Sequence, residues 1–311
     1  MEIPVYTLDA FTCIPFKGNP AAVCPLQHEL TEEMYQKISA EMNLSETAFI
    51  IKLNPSDNFT TGSRFRLRWF TPTTEVNLCG HATLATARVL FQYENNVNNK
   101  LVFETRSGEL CVTRYGDNCV MDFPLYKASP AVSLFTQKFK GNNSKSVGSL
   151  PVQEVYLCAK TKKLLIRLAD RCDRSELCNI KIDPIALQRS DSTGKVKGVI
   201  VTMIGKCYIE ELSTNTDKIM LCLITGSPNE QPGYDFYSRY FAPWFGITED
   251  PVTGSAHTVL GSYWAEKLGK RKLLAYQCSS RGGEMELEVR DDGRINITGT
   301  TVTVMRGTIT I

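Results

Sequence analysis

The 311-residue chain reads as an α+β protein made of two similar halves. Two observations predict this. Short runs rich in β-branched and aromatic residues far outnumber helical patterns. One unusual turn also occurs twice, as EVNLCGHATLATARVLF (Glu75–Phe91) and EDPVTGSAHTVLGSYW (Glu249–Trp264). Each copy has Glu, Gly five residues later, a small or polar residue, and an apolar stretch with helical spacing. FTP (Phe70–Pro72) precedes the first copy and FAP (Phe241–Pro243) the second. Alignment matches Glu75 with Glu249, Cys79 with Thr253, Gly80 with Gly254 and His81 with Ser255. Such self-similarity points to a duplication and a pseudo-twofold molecule.

The elements follow in order. PVYTLDAF, TAFIIKL, RFRLRWF and KLVFETR predict strands. In RFRLRWF, Arg64, Arg66 and Arg68 alternate with Phe65, Leu67 and Trp69, so the charges share one face, expected to be solvated. TEEMYQKISAEM predicts a helix capped by Thr31, with acidic residues in its first turn and Met34, Ile38 and Met42 four apart. ATLATARVLFQY and AHTVLGSYWAEKLG predict the helices of the repeated motif, the second ending at Gly269. CVTRYGDNCVMDF predicts a hairpin turning at Gly116–Asn118, and MELEVRDDGRINITG another at Asp291–Gly293. Between Asp122 and Pro151 the chain is rich in Pro, Ser, Asn and Gly, and the basic stretch Lys138–Gly148 reads as a loop. The halves are therefore placed at residues 1–122 and 123–311, with strands near 296–311 as candidates to return to the first half.

Composition excludes several classes. A net charge of +2 without a Lys/Arg run gives no reason to expect nucleic acid. The start lacks the basic and apolar regions of a signal peptide, and no window suits a membrane span. A soluble, cytoplasmic protein is expected. The 11 cysteines are scattered without a CxxC pair, and only His28, His81 and His257 could assist them. No metal site is expected, and most cysteines should be buried free thiols.

Each repeated turn runs from a strand through a loop to a glycine that opens a helix. Glycine permits close backbone approach, and the unpaired first N–H groups favour an anion. Two such termini, Gly80 and Gly254, facing each other across a cleft would suit a small carboxylate or a developing enolate. Beside them lie His81, Asp250 and Ser255. The helix start would keep His81 neutral. Ser255 could equally serve as a helix cap, and Asp250 as an ordinary loop carboxylate. Cys79, just before a helix, is where a thiolate would be stabilised. In NLSETAFI, Glu46 stands at the mouth of an apolar strand, where burial would raise its pKa and suit it to proton transfer. A surface Glu in a turn is the competing reading.

GNPAAVC (Gly18–Cys24), NLSETAFI (Asn43–Ile50), FTPTTEVNLCGHATLATA and EDPVTGSAH resemble, in order, the signature blocks of the PhzF-like, or phenazine biosynthesis-like, family. The resemblance spans nearly the whole chain. It implies the diaminopimelate-epimerase-like fold: two pseudo-symmetric domains, each a β-barrel-like sheet around a central helix. It implies a cofactor-free isomerisation in which Glu46 is the general acid/base. His81, Asp250 and Ser255 would bind and polarise the substrate with the backbone at Gly80 and Gly254, and Asn19 would be a substrate contact. A homodimer is the default by symmetry.

Two departures bear on mechanism. Racemases of this fold use one cysteine from each half, but Thr253 stands where Cys79 would be matched, so a two-thiol mechanism is not supported; a one-thiol role for Cys79 stays open. Asn77 stands where many relatives have Pro. The expectation is a cofactor-independent isomerase acting on a small anionic metabolite. The alternative is a catalytically silent binding or regulatory protein with a protein partner. The segment Gln277–Glu284 (QCSSRGGE) is a candidate for the cleft wall.

Overall fold

The computed structural model describes residues 1–54, 56–131, 150–189, 191, 193–205 and 233–311; the loop expected at Lys138–Gly148 lies outside them. The first half comprises β1 (Glu2–Ala10), β2 (Asn19–Leu26), α1 (Glu32–Met42), β3 (Glu46–Lys52), β4 (Arg64–Phe70), β5 (Glu75–Val76), α2 (Gly80–Gln92), β6 (Lys100–Thr105), β7 (Gly108–Tyr115) and β8 (Asn118–Pro124). There follow β9 (Ser129–Pro130), β10 (Val152–Cys158), β11 (Lys163–Leu168), α3 (Arg174–Cys178), α4 (Pro184–Arg189), β12 (Gly198–Ile204) and β13 (Phe236–Ala242). A 3-10 turn, Pro243–Phe245, leads to β14 (Ile247–Asp250) and α5 (Gly254–Leu268). The chain finishes with β15 (Lys272–Gln277), β16 (Gly283–Val289), β17 (Arg294–Gly299) and β18 (Thr301–Thr310).

Strand pairing repeats the duplication. In the first half β2 runs parallel to β3, β3 antiparallel to β4, β4 parallel to β6, and β6, β7 and β8 continue antiparallel. In the second, β11 runs parallel to β12, β12 antiparallel to β13, β13 parallel to β15, and β15, β16 and β17 continue antiparallel. The halves are joined where β8 pairs with β17. The strand after each half crosses over: β9 pairs with β10, and β18 returns to pair with β1.

Local chemistry explains the elements. Thr31 caps α1 by accepting from the Met34 amide, and the helix ends at Asn43 in the left-handed region. It buries Tyr35 and Ile38, whereas Met34 and Met42 pack only at the edge of their cluster. On β4, Phe65, Leu67 and Trp69 point into the core as the alternation requires. The opposite face is less solvated than expected, because Arg68 is largely covered and paired with Glu32 and Glu75.

Each motif helix forms the centre of a half. Among α2 residues only Arg88 and Gln92 escape burial, as befits a helix whose whole circumference is apolar or small. In α5, Ala256–Trp264 is buried, and Trp264 stacks on Phe236 with its indole N–H donating 3.0 Å to Thr202 Oγ1. Gly269 closes α5 with φ 65°. Both helices begin at the glycine itself, as the repeated turn predicts.

Candidate active site

The repeated Glu has a structural explanation. Arg68 on β4 clamps Glu75 with Nε at 2.9 Å and Nη2 at 2.7 Å. Arg239 on β13 clamps Glu249 in the same way, at 2.7 and 2.8 Å. Each fork pins the loop entering its helix to the strand before it. The repeated Gly is explained as well. A Cβ on Gly80 would lie 3.2 Å from the Gly254 Cα, and one on Gly254 would lie 3.4 Å from the Gly80 Cα. The close approach that favours glycine is therefore that of one helix start to the other. The first amides of both helices, which have no intrahelical acceptor, therefore start from this joint.

Beside the joint lies a cavity of about 640 Å³, lined by Glu46, Cys79 and His81 from the first half and by Asp250 and Ser255 from the second. Gly80 and Gly254 line it too. Ser255 is the second residue of α5 and half-buried; the cap position belongs to Thr253.

Asn19 does not line this cavity, contrary to the expectation of a substrate contact. It is fully buried behind it, with its amide committed to the protein. Nδ2 donates to Asp250 Oδ1 at 2.7 Å and to the Val252 carbonyl at 2.9 Å, while Oδ1 accepts from Ser45 Oγ at 3.2 Å. Asn19 therefore ties the two halves together. Nδ2 also lies 3.1 Å from His81 Nδ1. Both Nδ2 hydrogens are already given to Asp250 and Val252, but the Cys79 thiol, which keeps its proton, lies 3.4 Å from Nδ1 and can donate to it. The ring proton therefore belongs on Nε2, facing Ser45 Oγ and Glu46 Oε2, each at 3.3 Å.

Electrostatics separate the roles. Burial drives the His81 pKa down to about 3, so the ring is neutral. Burial, and then the Asp250 charge, push Glu46 up to about 8, so it carries its proton at neutral pH. Asp250 is also raised, mainly by burial, but the Thr253 hydroxyl at 2.6 Å and the Asn19 amide hold it below Glu46. Glu46 Oε2 is buried without a hydrogen-bond partner, because its approach to His81 lacks bonding geometry. The reading of Glu46 as a surface turn residue is excluded. The expectation of a stabilised Cys79 thiolate is overturned: burial, and then Glu46, hold the thiol well above its ordinary range.

One donor atom each from Glu46, Cys79 and His81 lies within 4.8 Å of the others. The set suits a cation poorly, since both imidazole nitrogens face protein partners. Gln277–Glu284 lies behind the cavity rather than in its wall. Gln277 Oε1 accepts from the Thr253 amide at 2.9 Å and Arg281 reaches Asp9 at 2.6 Å. Sequence reasoning missed Lys163 and Tyr240, both on the cavity wall. The signal for Lys163 was a charge opening the apolar strand KLLIRL, the arrangement that singled out Glu46.

The chain matches the family model described as phenazine biosynthesis-like protein over residues 8–307. It is 49% identical over 311 residues to the phenazine biosynthesis-like domain-containing protein of Homo sapiens, with all of both chains covered. It is 37% identical over 309 residues to an uncharacterized isomerase of Pseudomonas aeruginosa, covering 99% of each. A crystal structure of a phenazine biosynthesis protein of the PhzF family from Enterococcus faecalis superposes with TM-score 0.78 at 36% identity, covering 100% of both chains. A hydroxyproline epimerase from Agrobacterium vitis shares the fold, with TM-score 0.53 at 9% identity over 99% of this chain and 92% of that one. The architecture is thus the diaminopimelate-epimerase-like one, two related sheets each around a helix. With matching signature blocks, a matching model and matching whole-length relatives, the chain belongs to the phenazine biosynthesis-like, or PhzF, family.

Proposed function

We propose that the protein is a cofactor-independent isomerase that moves a proton on a small carboxylate-bearing metabolite, with Glu46 as general acid and base. The observation that carries this reading is the Glu46 carboxyl. It is buried at the cavity wall beside two helix starts, with Oε2 unpartnered and the pKa raised to about 8. A group poised near neutrality exchanges protons efficiently in either direction.

In its ionised form Glu46 takes a proton from a carbon next to an electron-withdrawing group. The electron pair left behind delocalises onto that group's oxygen, where the first amides of α2 and α5 and the Ser255 hydroxyl stabilise it. The Nε2–H of neutral His81 supports the same charge. The Glu46 acid then returns the proton to another carbon, giving the isomer, or to the same carbon, giving exchange. The second half supports a single-acid scheme. With Phe70 and Phe241 equivalent, Thr47 opposite Phe70 matches Val199 opposite Phe241, so the position matching Glu46 is Gly198. The position matching Cys79 is Thr253.

The test is incubation in D₂O with pooled small amino and hydroxy acids, read by mass spectrometry, with Glu46→Gln alongside. Wild type should place deuterium in one compound and the variant in none, even after dialysis against a chelator. Equal incorporation by the variant would refute the role of Glu46. A wild type inert towards a broad metabolite panel would move the reading to the binding protein.

A further inference from the structure

The half that lacks a counterpart to Glu46 has a cation nearby instead. Lys163 opens β11 and lies in register beside Gly198, as Ala21 on β2 lies beside Glu46. A side chain at Gly198 is excluded because the Tyr240 hydroxyl fills its space: a Cβ there would lie 2.2 Å from Oη. Lys163 is 9% exposed and lines the cavity, with Nζ 5.8 Å from the centre of the Tyr240 ring. No carboxylate among the described residues comes within ion-pair distance of it, and the Asp250 charge acts on it only from farther away, whereas the other buried cations, Arg167 and Arg239, each have a direct partner. A buried ammonium without a counter-ion is costly unless something supplies one.

We propose that Lys163 is an anion subsite of the cavity and pairs with a carboxylate of the substrate. This rests on the reading of the cavity as the active site and deepens it: the duplicated strand mouths have diverged into a proton carrier, Glu46, and an anchor, Lys163. A monoanionic carboxylate fits better than a phosphate dianion. Lys163 is one point charge rather than a guanidinium fork, and Asp250 in the same wall would repel a second negative charge. The environment agrees, since burial lowers the Lys163 pKa to about 8, Asp250 offsetting this only in part, and a bound anion would raise it again. Lys160, at the exposed rim with Nζ 5.2 Å over the Tyr126 ring, adds positive potential at the entrance.

The test is calorimetric titration with acetate, succinate and benzoate against acetamide, succinamide and benzamide. Wild type should bind at least one carboxylate about tenfold or more tightly than its amide, as a charge-assisted bond predicts. Lys163→Met and Lys163→Gln should abolish that preference, and Glu46→Gln should keep it. Independently of any variant, saturating carboxylate should protect Lys163, but not Lys160, from acetylation in peptide mass spectrometry. An undiminished preference in folded Lys163 variants, no preference in wild type for any pair, or unprotected Lys163 would overturn the proposal. The two readings fail separately. Deuterium exchange without a Lys163-dependent preference removes the anchor alone, and a Lys163-dependent preference without exchange removes the isomerase alone.

Discussion

Asn19→Ala tests whether the site is also what joins the halves. Wild-type Asn19 gives one amide to the Asp250 carboxylate and the Val252 carbonyl across the joint. A hydrogen bond to a charged group contributes about 1.5–3 kcal/mol, and a buried carbonyl left unpaired costs about 1–3 kcal/mol. Neighbouring terms do not add fully, so the expected loss is about 3–5 kcal/mol, against a total stability of roughly 5–15 kcal/mol. Urea unfolding followed by both circular dichroism and tryptophan fluorescence measures it and checks that the two probes coincide. Asn19→Asp supplies the sign. It sets a second carboxylate against Asp250, raising both folded-state pKa values above their unfolded ones, so the variant's stability should fall as pH rises from 5 to 8 relative to wild type. A loss below about 1 kcal/mol in Asn19→Ala, or a pH-independent deficit in Asn19→Asp, would refute the bridge.

Two further predictions follow from perturbed groups. Glu46 is raised to about 8 when folded, so its contribution to stability is present at low pH and is lost as pH rises from the ordinary carboxylate range through 8. The wild-type-minus-Glu46→Gln stability difference should therefore fall from pH 5 to pH 8.5 in denaturant titrations, while the opposing His81 contribution cancels in the subtraction; a flat difference would place the acid elsewhere. Cys178 is exposed, and its thiol is lowered to about 6, mainly by a hydrogen bond with Cys278 and also by the Arg174 and Arg239 charges. Iodoacetamide at pH 7 should alkylate Cys178 well before Cys79, as read by peptide mass spectrometry, and the reverse order would contradict the burial of Cys79.

How much of this was legible depended on whether the signal was local. The strand mouths, the Thr31 cap, the hairpin at Gly116 and the duplicated turn are short-range patterns, and they appear where the residues placed them. The short helix α3 was also local but was passed over: Asp173 and Glu176 form a capping box. The roles of Asn19, Gly80 and Gly254 were not local. Asn19 reads as a substrate contact until its partners, 231 and 233 residues away, are known. Gly80 reads as room for a ligand until Gly254 is seen to occupy that room. Lys163 escaped notice for the same reason, since its meaning comes from Gly198 and Tyr240 on neighbouring strands.

The contact between the two helix starts has a consequence for how the protein responds to solutes. Each start carries roughly half a positive charge, and Gly80 and Gly254 bring the two together with no side chain between them. Like ends in contact repel, and an anion bound in the cavity beside them would relieve that repulsion only while the halves stay docked. Occupancy and docking are then one equilibrium, in which any anion that fits raises the melting temperature by mass action in proportion to the logarithm of its concentration over its dissociation constant. A series of melts would therefore rank candidate substrates before any turnover is known.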